Sequence, residues 1–147
     1  MTVHEHELAA LVGHEFPGGT YRIAHWENFL LSEATGAPPM PEDLVHPVHL
    51  FHVPINGAGT SIAELFTLGR ADSDASVTID YYDWEYFVPL REALAYRVTG
   101  AITEHERRSP EGGPVVDSLC FCIEMREADR RLAARCTIRW HFWRFGS

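Results

Sequence analysis

The chain has 147 residues, of which 46% are hydrophobic and 22% are charged, a composition typical of one globular domain with its own core. Its formal net charge of −9, from 12 Lys and Arg against 21 Asp and Glu, argues against a nucleic-acid-binding protein and against binding to anionic membranes. No apolar run approaches the length that spans a bilayer, and the acidic start of the chain differs from a signal peptide, so we expect a cytoplasmic protein.

The first half of the chain is predicted to contain the helices. A short helix is predicted over 5–12 and a short strand over 20–24. A second helix is indicated by apolar residues at helical spacing and by a glycine where a helix commonly ends, namely Trp26, Phe29, Leu30, Ala34 and Gly36. After a proline-rich loop over 37–47, a further helix is predicted over 58–68, with Ser61 and Glu64 as a capping box and Gly69 at its end.

The second half of the chain alternates between apolar and polar residues, as strands do. The alternation starts at Val77 and shifts its phase near Tyr82 and Asp83, which predicts a β-bulge there. Three more strands are marked by alternating apolar residues, which are Tyr96, Val98 and Ile102, then Leu119, Phe121, Ile123 and Met125, then Leu132, Ala134, Cys136, Ile138, Trp140 and Phe142. Segments 109–114 and 127–130 have the composition of hairpin turns.

Helices followed by about four meandering strands predict an α+β domain with an antiparallel sheet, formed by residues 1–147 as one unit. Such a sheet packs one face against a helix and leaves its edges open. Because open edges must be covered or paired, this arrangement favours a dimer in which two sheets join.

Three segments carry a family resemblance: YYDWEYFVPLRE at 81–92, the strand start V-x-G-x-I at 98–102, and LAAR at 132–135 after a turn. In this order and spacing, over about residues 8–145, they resemble the MaoC-like, (R)-specific hydratase and dehydratase family of the hot-dog superfamily. The resemblance implies the hot-dog fold, in which a strongly curved antiparallel sheet wraps around a central helix.

The resemblance also implies an activity and partners. Family members hydrate a trans-2-enoyl thioester of coenzyme A or of a carrier protein, or dehydrate the 3-hydroxy form, as homodimers or as heterodimers with another hot-dog subunit. The thioester is the substrate, and no further cofactor and no metal are expected.

The chain departs from the catalytic signature of that family, which is close to G-D-x-N-P-x-H. Ala37 stands at the position of the Asp, and Glu42 stands at the position of the His. Asn56 and Gly57 lie where members begin their central helix, so we expect Gly57 to offer its N–H to a thioester carbonyl. We therefore expect a subunit that keeps substrate binding but relies on a catalytic hot-dog partner.

Two alternative functions are also consistent with the sequence. The first is an independent hydratase, dehydratase or thioesterase with a rearranged site, in which His46, His49 or His52 acts together with Glu64 or Asp43. The second is a binding or scaffold protein without thioester chemistry.

The histidine spacing H-x-x-H-x-x-H raises the question of a metal site. Pro47 and Pro54 argue against a continuous helix here, and in an extended segment a spacing of three places neighbours on opposite faces. We therefore expect no metal. If the histidines are not catalytic, we expect them to serve in packing. If Glu64 is not catalytic, we expect it to cap its helix. Arg107 and Arg108 are candidates for binding the phosphates of coenzyme A, and the alternative for them is a solvated hairpin end.

Overall fold

A computed structural model describes residues 2–146, which form one five-stranded antiparallel sheet with short helices. The helices are α1 (Glu5–Ala9), α2 (His25–Ala34), α3 (Val53–Gly57) and α4 (Ile62–Leu68), with 3₁₀ turns at Pro47–Phe51 and Asp74–Ser76. The strands are β1 (Gly19–Arg22), β2 (Val77–Tyr86), β3 (Ala95–Arg108), β4 (Val115–Arg126) and β5 (Leu132–Arg144). The strand order is β1-β3-β4-β5-β2, so β1 and β2 form the edges.

One face of the sheet packs against the hydrophobic core. The predicted alternation of apolar residues in β3, β4 and β5 is confirmed, apart from Leu132, which is only partly buried. The other side chains are buried as a set: Tyr96, Val98, Ile102, Leu119, Phe121, Ile123, Met125, Ala134, Cys136, Ile138, Trp140 and Phe142. The rings of Phe121 and Trp140 meet edge to face, with centroids 5.2 Å apart. The two hairpin turns also lie where the sequence predicts them, between β3 and β4 and between β4 and β5.

The opposite face of the sheet carries charged side chains. Arg135 on β5 donates to Glu124 on the neighbouring strand β4 at 2.9 Å, and Arg139 on β5 donates across β4 to Glu106 on β3 at 2.8 Å. A sheet that is apolar on one face and charged on the other exposes only the charged face to water.

Helices α3 and α4 lie against the apolar face of the sheet. A Cβ atom on Gly57 would come within 2.6 Å of a Val98 methyl carbon, and one on Gly69 would come within 2.2 Å of the Phe142 ring. The ring of Phe66 in α4 also packs against Trp140, with centroids 5.4 Å apart. The close approach of the helical segment to the sheet therefore depends on glycine at both positions.

The structure corrects three predicted boundaries. The helix predicted over 58–68 begins only at Ile62, while residues 53–57 form the separate helix α3, and the helix predicted over 5–12 ends at Ala9. The predicted capping box is half formed, since Ser61 Oγ accepts from the Glu64 N–H at 3.1 Å. The β-bulge lies between Ile79 and Tyr81 rather than at 82–83, and the residues from Tyr81 to Tyr86 pair with β5 without a further shift.

None of the helices within residues 2–146 is both long enough and apolar enough to cross a membrane.

Asp117 is the centre of a buried ion cluster at one end of the sheet. Its carboxylate accepts hydrogen bonds from Arg107 Nη2 at 2.8 Å, from His105 Nε2 at 2.9 Å and from Arg144 Nε at 2.9 Å. Arg144 also donates to the carbonyl of Gly69 at 2.8 Å, at the end of α4. Arg107 also donates to the carbonyl of Val3 at 2.9 Å. The cluster therefore ties the end of α4 and the N-terminal segment to the sheet.

Burial would raise the pKa of Asp117, but the hydrogen bonds from Arg107, His105 and Arg144 outweigh it and lower the pKa to about 2. A carboxyl group whose pKa falls on folding stabilises the fold above its unfolded pKa of about 3.8. That contribution is lost as the pH falls through 2.

We predict that Asp117→Asn lowers the free energy of unfolding at pH 7 by about 3–5 kcal/mol, because it leaves buried cations without their counterion. Urea unfolding measures this difference, and it should shrink by about 2 kcal/mol between pH 4 and pH 2. Glu106→Gln is the matched control, since Glu106 is 56% exposed and its ion pair with Arg139 should contribute less than about 1 kcal/mol. Equal costs for the two substitutions would contradict the role given to Asp117.

Candidate functional site

The loop that follows α2 is held firmly against that helix. Helix α2 ends at Ala34, and Gly36, with a φ of 77°, turns the chain away from it as the sequence predicts. The buried Asn28 side chain donates to the Leu44 carbonyl at 2.8 Å and accepts from the His46 N–H at 3.1 Å. These two bonds fix residues 44–46 beside α2.

The loop and the end of β2 border an open, apolar cavity of about 380 Å³. Its lining residues are Met40, Leu44, Val45, Pro47, Tyr86, Phe87, Val88, Pro89 and Leu90. The phenol of Tyr86 is the one ionisable group among them, and it donates to the carbonyl of Pro47. Burial raises the pKa of Tyr86, so the phenol stays protonated at neutral pH. We call this space the loop cavity.

The two loop positions that correspond to the family's Asp and His contribute no acid–base pair. Ala37 has no ionisable side chain, and Glu42 is exposed and holds the loop through its carbonyl, which accepts from Arg91 at 3.2 Å. Asp43 is also exposed, and its carbonyl accepts from the N–H of Glu92 at 2.8 Å.

The three histidines lie on and beside a 3₁₀ turn, and the expectation of an extended segment is wrong. Pro47 occupies the first position of this turn, where its missing N–H costs nothing. Because a 3₁₀ helix has three residues per turn, residues three apart lie on the same side. The rings of His49 and His52 are accordingly 5.3 Å apart.

Glu27, in the first turn of α2, completes a polar cluster with these two histidines. Glu27 Oε2 lies 3.3 Å from His52 Nε2 and accepts a hydrogen bond from the Tyr21 hydroxyl at 2.6 Å. The carboxylate also accepts from the Ala24 N–H at 3.3 Å through Oε1. One ligand atom each from Glu27, His49 and His52 lies within 4.8 Å of the others, so the arrangement can hold either a proton or a metal ion. We call these three residues the Glu27 cluster.

The environment favours a carboxylate beside neutral imidazole in this cluster. Burial would raise the pKa of Glu27, but the hydrogen bonds from Tyr21, His52 and Ala24 outweigh burial and lower it. Burial, with repulsion from His52, lowers the pKa of His49 to about 4. Burial and the hydrogen bond to Glu27 raise the pKa of the Tyr21 hydroxyl. At neutral pH an ionised Glu27 therefore lies beside a neutral His49 and accepts a hydrogen bond from the protonated phenol of Tyr21.

Three of the predicted catalytic candidates, His46, Glu64 and Asp43, lie outside this cluster. His46 caps the 3₁₀ turn, since its Nδ1 accepts from the Val48 N–H at 3.1 Å. Glu64 is exposed on α4, and its side chain accepts from the Thr60 hydroxyl at 3.1 Å rather than from the Ser61 N–H, so only the Ser61 half of the predicted capping box forms.

The predicted substrate-binding residues are also separated in the structure. Gly57 is the last residue of α3 and lies against Val98, so the expectation that it begins the central helix is wrong. Asn56 is exposed beside it. Arg107 borders a broad cavity of about 1390 Å³, but its guanidinium is paired with Asp117. Arg108 is exposed at the end of β3.

Glu27 and Tyr21 are site residues that the sequence pattern did not predict. Glu27 follows Ala24 at the spacing of an ordinary capping residue, and its backbone contact with Ala24 fits that interpretation equally well. Tyr21 is a single aromatic residue in a four-residue strand. Neither position carries a local signal for the cluster, because the cluster depends on three segments meeting in space.

No family model matches the chain, and no curated protein matches it. Solved structures do resemble it. The ChsH1–ChsH2 complex of Mycobacterium tuberculosis aligns with a TM-score of 0.70 at 11% identity, covering 94% of this chain and 89% of that chain. The HadBC (3R-hydroxyacyl-ACP dehydratase) complex of the same organism aligns at 0.66 and 8% identity, covering 89% and 96%. A MaoC-like dehydratase of Rhodospirillum rubrum aligns at 0.54 and 12% identity, covering 99% and 100%.

At identities this low, the structural likeness establishes a shared fold and nothing further. The antiparallel sheet and the helical segment on its apolar face agree with the fold that the resemblance implies. The chain therefore has the hot-dog fold, and MaoC-like dehydratases are among its structural neighbours.

Proposed function

We propose that the chain is a subunit of an acyl-thioester hydratase or dehydratase, which binds the acyl part of the substrate while a second hot-dog subunit supplies the acid and base. The observation that carries this proposal is the loop cavity, which is apolar and whose lining within residues 2–146 includes no carboxylate and no imidazole. The fold supports it, since two neighbours are complexes and one of them is named a hydroxyacyl dehydratase.

Hydration of an enoyl thioester needs a base and an acid close to the double bond. The base takes a proton from water as the water oxygen bonds to C3, and the acid delivers a proton to C2. Tyr86, the one ionisable group at the loop cavity, is committed to the Pro47 carbonyl. The proton transfers are therefore assigned to the partner subunit.

The size and lining of the loop cavity fit an acyl chain. Small-molecule pockets typically measure about 300–1,000 Å³ and are mainly apolar, and about 380 Å³ lies at the lower end of that range. Each methylene group that leaves water for such a pocket contributes about 0.8 kcal/mol. Affinity should therefore rise with chain length until the cavity is filled.

We predict that octanoyl-CoA raises the melting temperature of the chain more than butyryl-CoA does, while free coenzyme A has a smaller effect. A ligand at 100 times its dissociation constant stabilises a protein by about 2.7 kcal/mol, which differential scanning fluorimetry detects. Val88→Trp should remove the chain-length dependence by filling the cavity that Val88 lines.

Val12→Trp is the control for that substitution, because Val12 is already 46% exposed and does not line the loop cavity. A melting temperature that is equally insensitive to all three compounds would instead favour a scaffold protein without thioester binding.

The exposed edge strand β2 is a surface on which the second subunit can bind. Within residues 2–146, β2 pairs with β5 on one side only, and Ile79 and Tyr81 on it are 56% and 40% exposed. A ten-residue edge strand with exposed apolar side chains is a surface on which another strand pairs. We infer that a second hot-dog subunit, or another copy of this chain when no other is present, pairs along β2.

We predict that the purified chain sediments as a dimer of 16.6 kDa subunits and that Ile79→Lys shifts it to monomer. The introduced charge would have to be buried between two paired strands. Ile62→Lys on α4 is the matched control, since Ile62 is 46% exposed away from the edge, and it should leave the dimer intact. Unchanged association of Ile79→Lys would exclude pairing along β2.

The Glu27 cluster favours a second candidate function, in which the chain is an independent hydratase, dehydratase or thioesterase. Glu27 and His52 have contacting polar atoms at 3.3 Å, and the His52 side chain is 32% exposed. A partly exposed imidazole beside a carboxylate is a suitable acid–base pair.

Hydration of trans-2-octenoyl-CoA distinguishes the two candidates. Our proposal predicts no turnover by the chain alone and turnover after reconstitution with the catalytic hot-dog subunit. In the reconstituted enzyme, Glu27→Gln and His52→Ala should change the rate no more than the control His14→Ala, a substitution of an exposed histidine. Turnover by the lone chain that both cluster substitutions abolish would establish the second candidate instead.

A further inference from the structure

The Glu27 cluster joins side chains from separate segments around one point. Glu27 comes from the first turn of α2, His49 from the 3₁₀ turn, and His52 from the residue between that turn and α3. Their ligand atoms lie within 4.8 Å of one another. Two imidazoles and one carboxylate at such a separation are the donor set of many transition-metal sites.

His49 is the unusual member of the cluster. Its side chain is fully buried, yet neither ring nitrogen has a hydrogen-bonding partner among residues 2–146. An unpartnered polar group in a protein interior costs about 1–3 kcal/mol, whereas an apolar side chain of similar volume would cost nothing of that kind. Coordination of a metal ion by one of these nitrogens would remove part of that cost.

Glu27 is already held in one orientation. The Tyr21 hydroxyl and the Ala24 N–H each donate to its carboxylate, and the Glu27 side chain is only 15% exposed. Such outer hydrogen bonds fix a ligating carboxylate before the ion arrives. The neighbouring chain is equally restrained, because Pro47 and Pro54 flank the two histidines.

We propose that Glu27, His49 and His52 bind one divalent transition-metal ion of the zinc class. In a tetrahedral site with bonds near 2.0–2.1 Å, ligand atoms are about 3.4 Å apart, and His52 Nε2 and Glu27 Oε2 are already at 3.3 Å. Since the three ligand atoms lie within 4.8 Å of one another, closure of the site then requires His49 to approach the other two by at most about 1.4 Å. Imidazole donors select such an ion over Mg²⁺ and Ca²⁺, which prefer oxygen ligands.

Three protein ligands leave a fourth position for water or for a ligand oxygen. This composition is that of open rather than closed zinc sites. The proposal is independent of the function proposed above, since it concerns residues outside the loop cavity and is tested without substrate.

The test uses the full chain, stripped with a chelator and then titrated with Zn²⁺ or Co²⁺. We expect one ion per chain by elemental analysis after gel filtration. Co²⁺ should give the intense visible absorption of a four-coordinate site. Glu27→Gln, His52→Ala and His49→Leu should each weaken Zn²⁺ binding at least tenfold, as measured by competition with a chromophoric chelator.

Two variants control for binding elsewhere on the chain. His14→Ala removes an exposed histidine, and the double substitution His4→Ala and His6→Ala removes a stacked pair near the N-terminus with ring centroids 5.7 Å apart. Both should bind Zn²⁺ as the unaltered chain does. Because His49→Leu alters the core, circular dichroism checks that this variant folds. If it does not fold, His52→Ala and Glu27→Gln test the site, since both side chains are partly exposed.

The proposal is overturned if the stripped chain binds no Zn²⁺ and no Co²⁺ at micromolar concentrations. It is also overturned if Glu27→Gln and His52→Ala retain the original affinity. Loss of binding in the His4 and His6 variant alone would assign the ion to the N-terminus and equally refute a site at the Glu27 cluster.

Discussion

The close packing of residues 53–69 on the apolar face of the sheet is the constraint on which the rest of the structure depends. Gly57 and Gly69 allow this segment to approach Val98 and Phe142, and Asp117, through Arg144, holds the end of α4 in place. The 3₁₀ turn directly precedes this segment, so its position is fixed by the same contacts. The orientation of His49 and His52 toward α2 is thus a consequence of how the core packs.

Different residues provide the apolar lining and the ionisable groups of the candidate site. The loop cavity lies between the loop after α2 and the end of β2 and has an apolar lining, whereas the Glu27 cluster gathers the ionisable groups from α2 and the 3₁₀ turn. A hydratase needs both kinds of surface close to one thioester. The lining of the loop cavity includes no residue of the Glu27 cluster, and its one ionisable group, Tyr86, donates to the Pro47 carbonyl. This is the physical reason for assigning the chemistry to a partner subunit.

The strands were predictable from the sequence because their period of two is strong and each inward position, such as Ile138 or Phe121, meets a similar neighbour across the sheet. Local geometry was less predictable. The segment from Pro47 to Gly57 has no periodicity that distinguishes an extended chain from a 3₁₀ turn, so the sequence placed His49 and His52 on opposite faces. Arg107 also looked free for a phosphate, because its pairing with Asp117 depends on strand register.

A crystal structure of the chain with octanoyl-CoA and its partner subunit tests the central claim most directly. The account predicts electron density for the acyl carbons in the cavity between Tyr86 and Leu90, with the thioester reaching a carboxylate and an imidazole that belong to the other subunit. An acyl chain bound elsewhere, or a thioester lying against Glu27 and His52 of this chain, would contradict it.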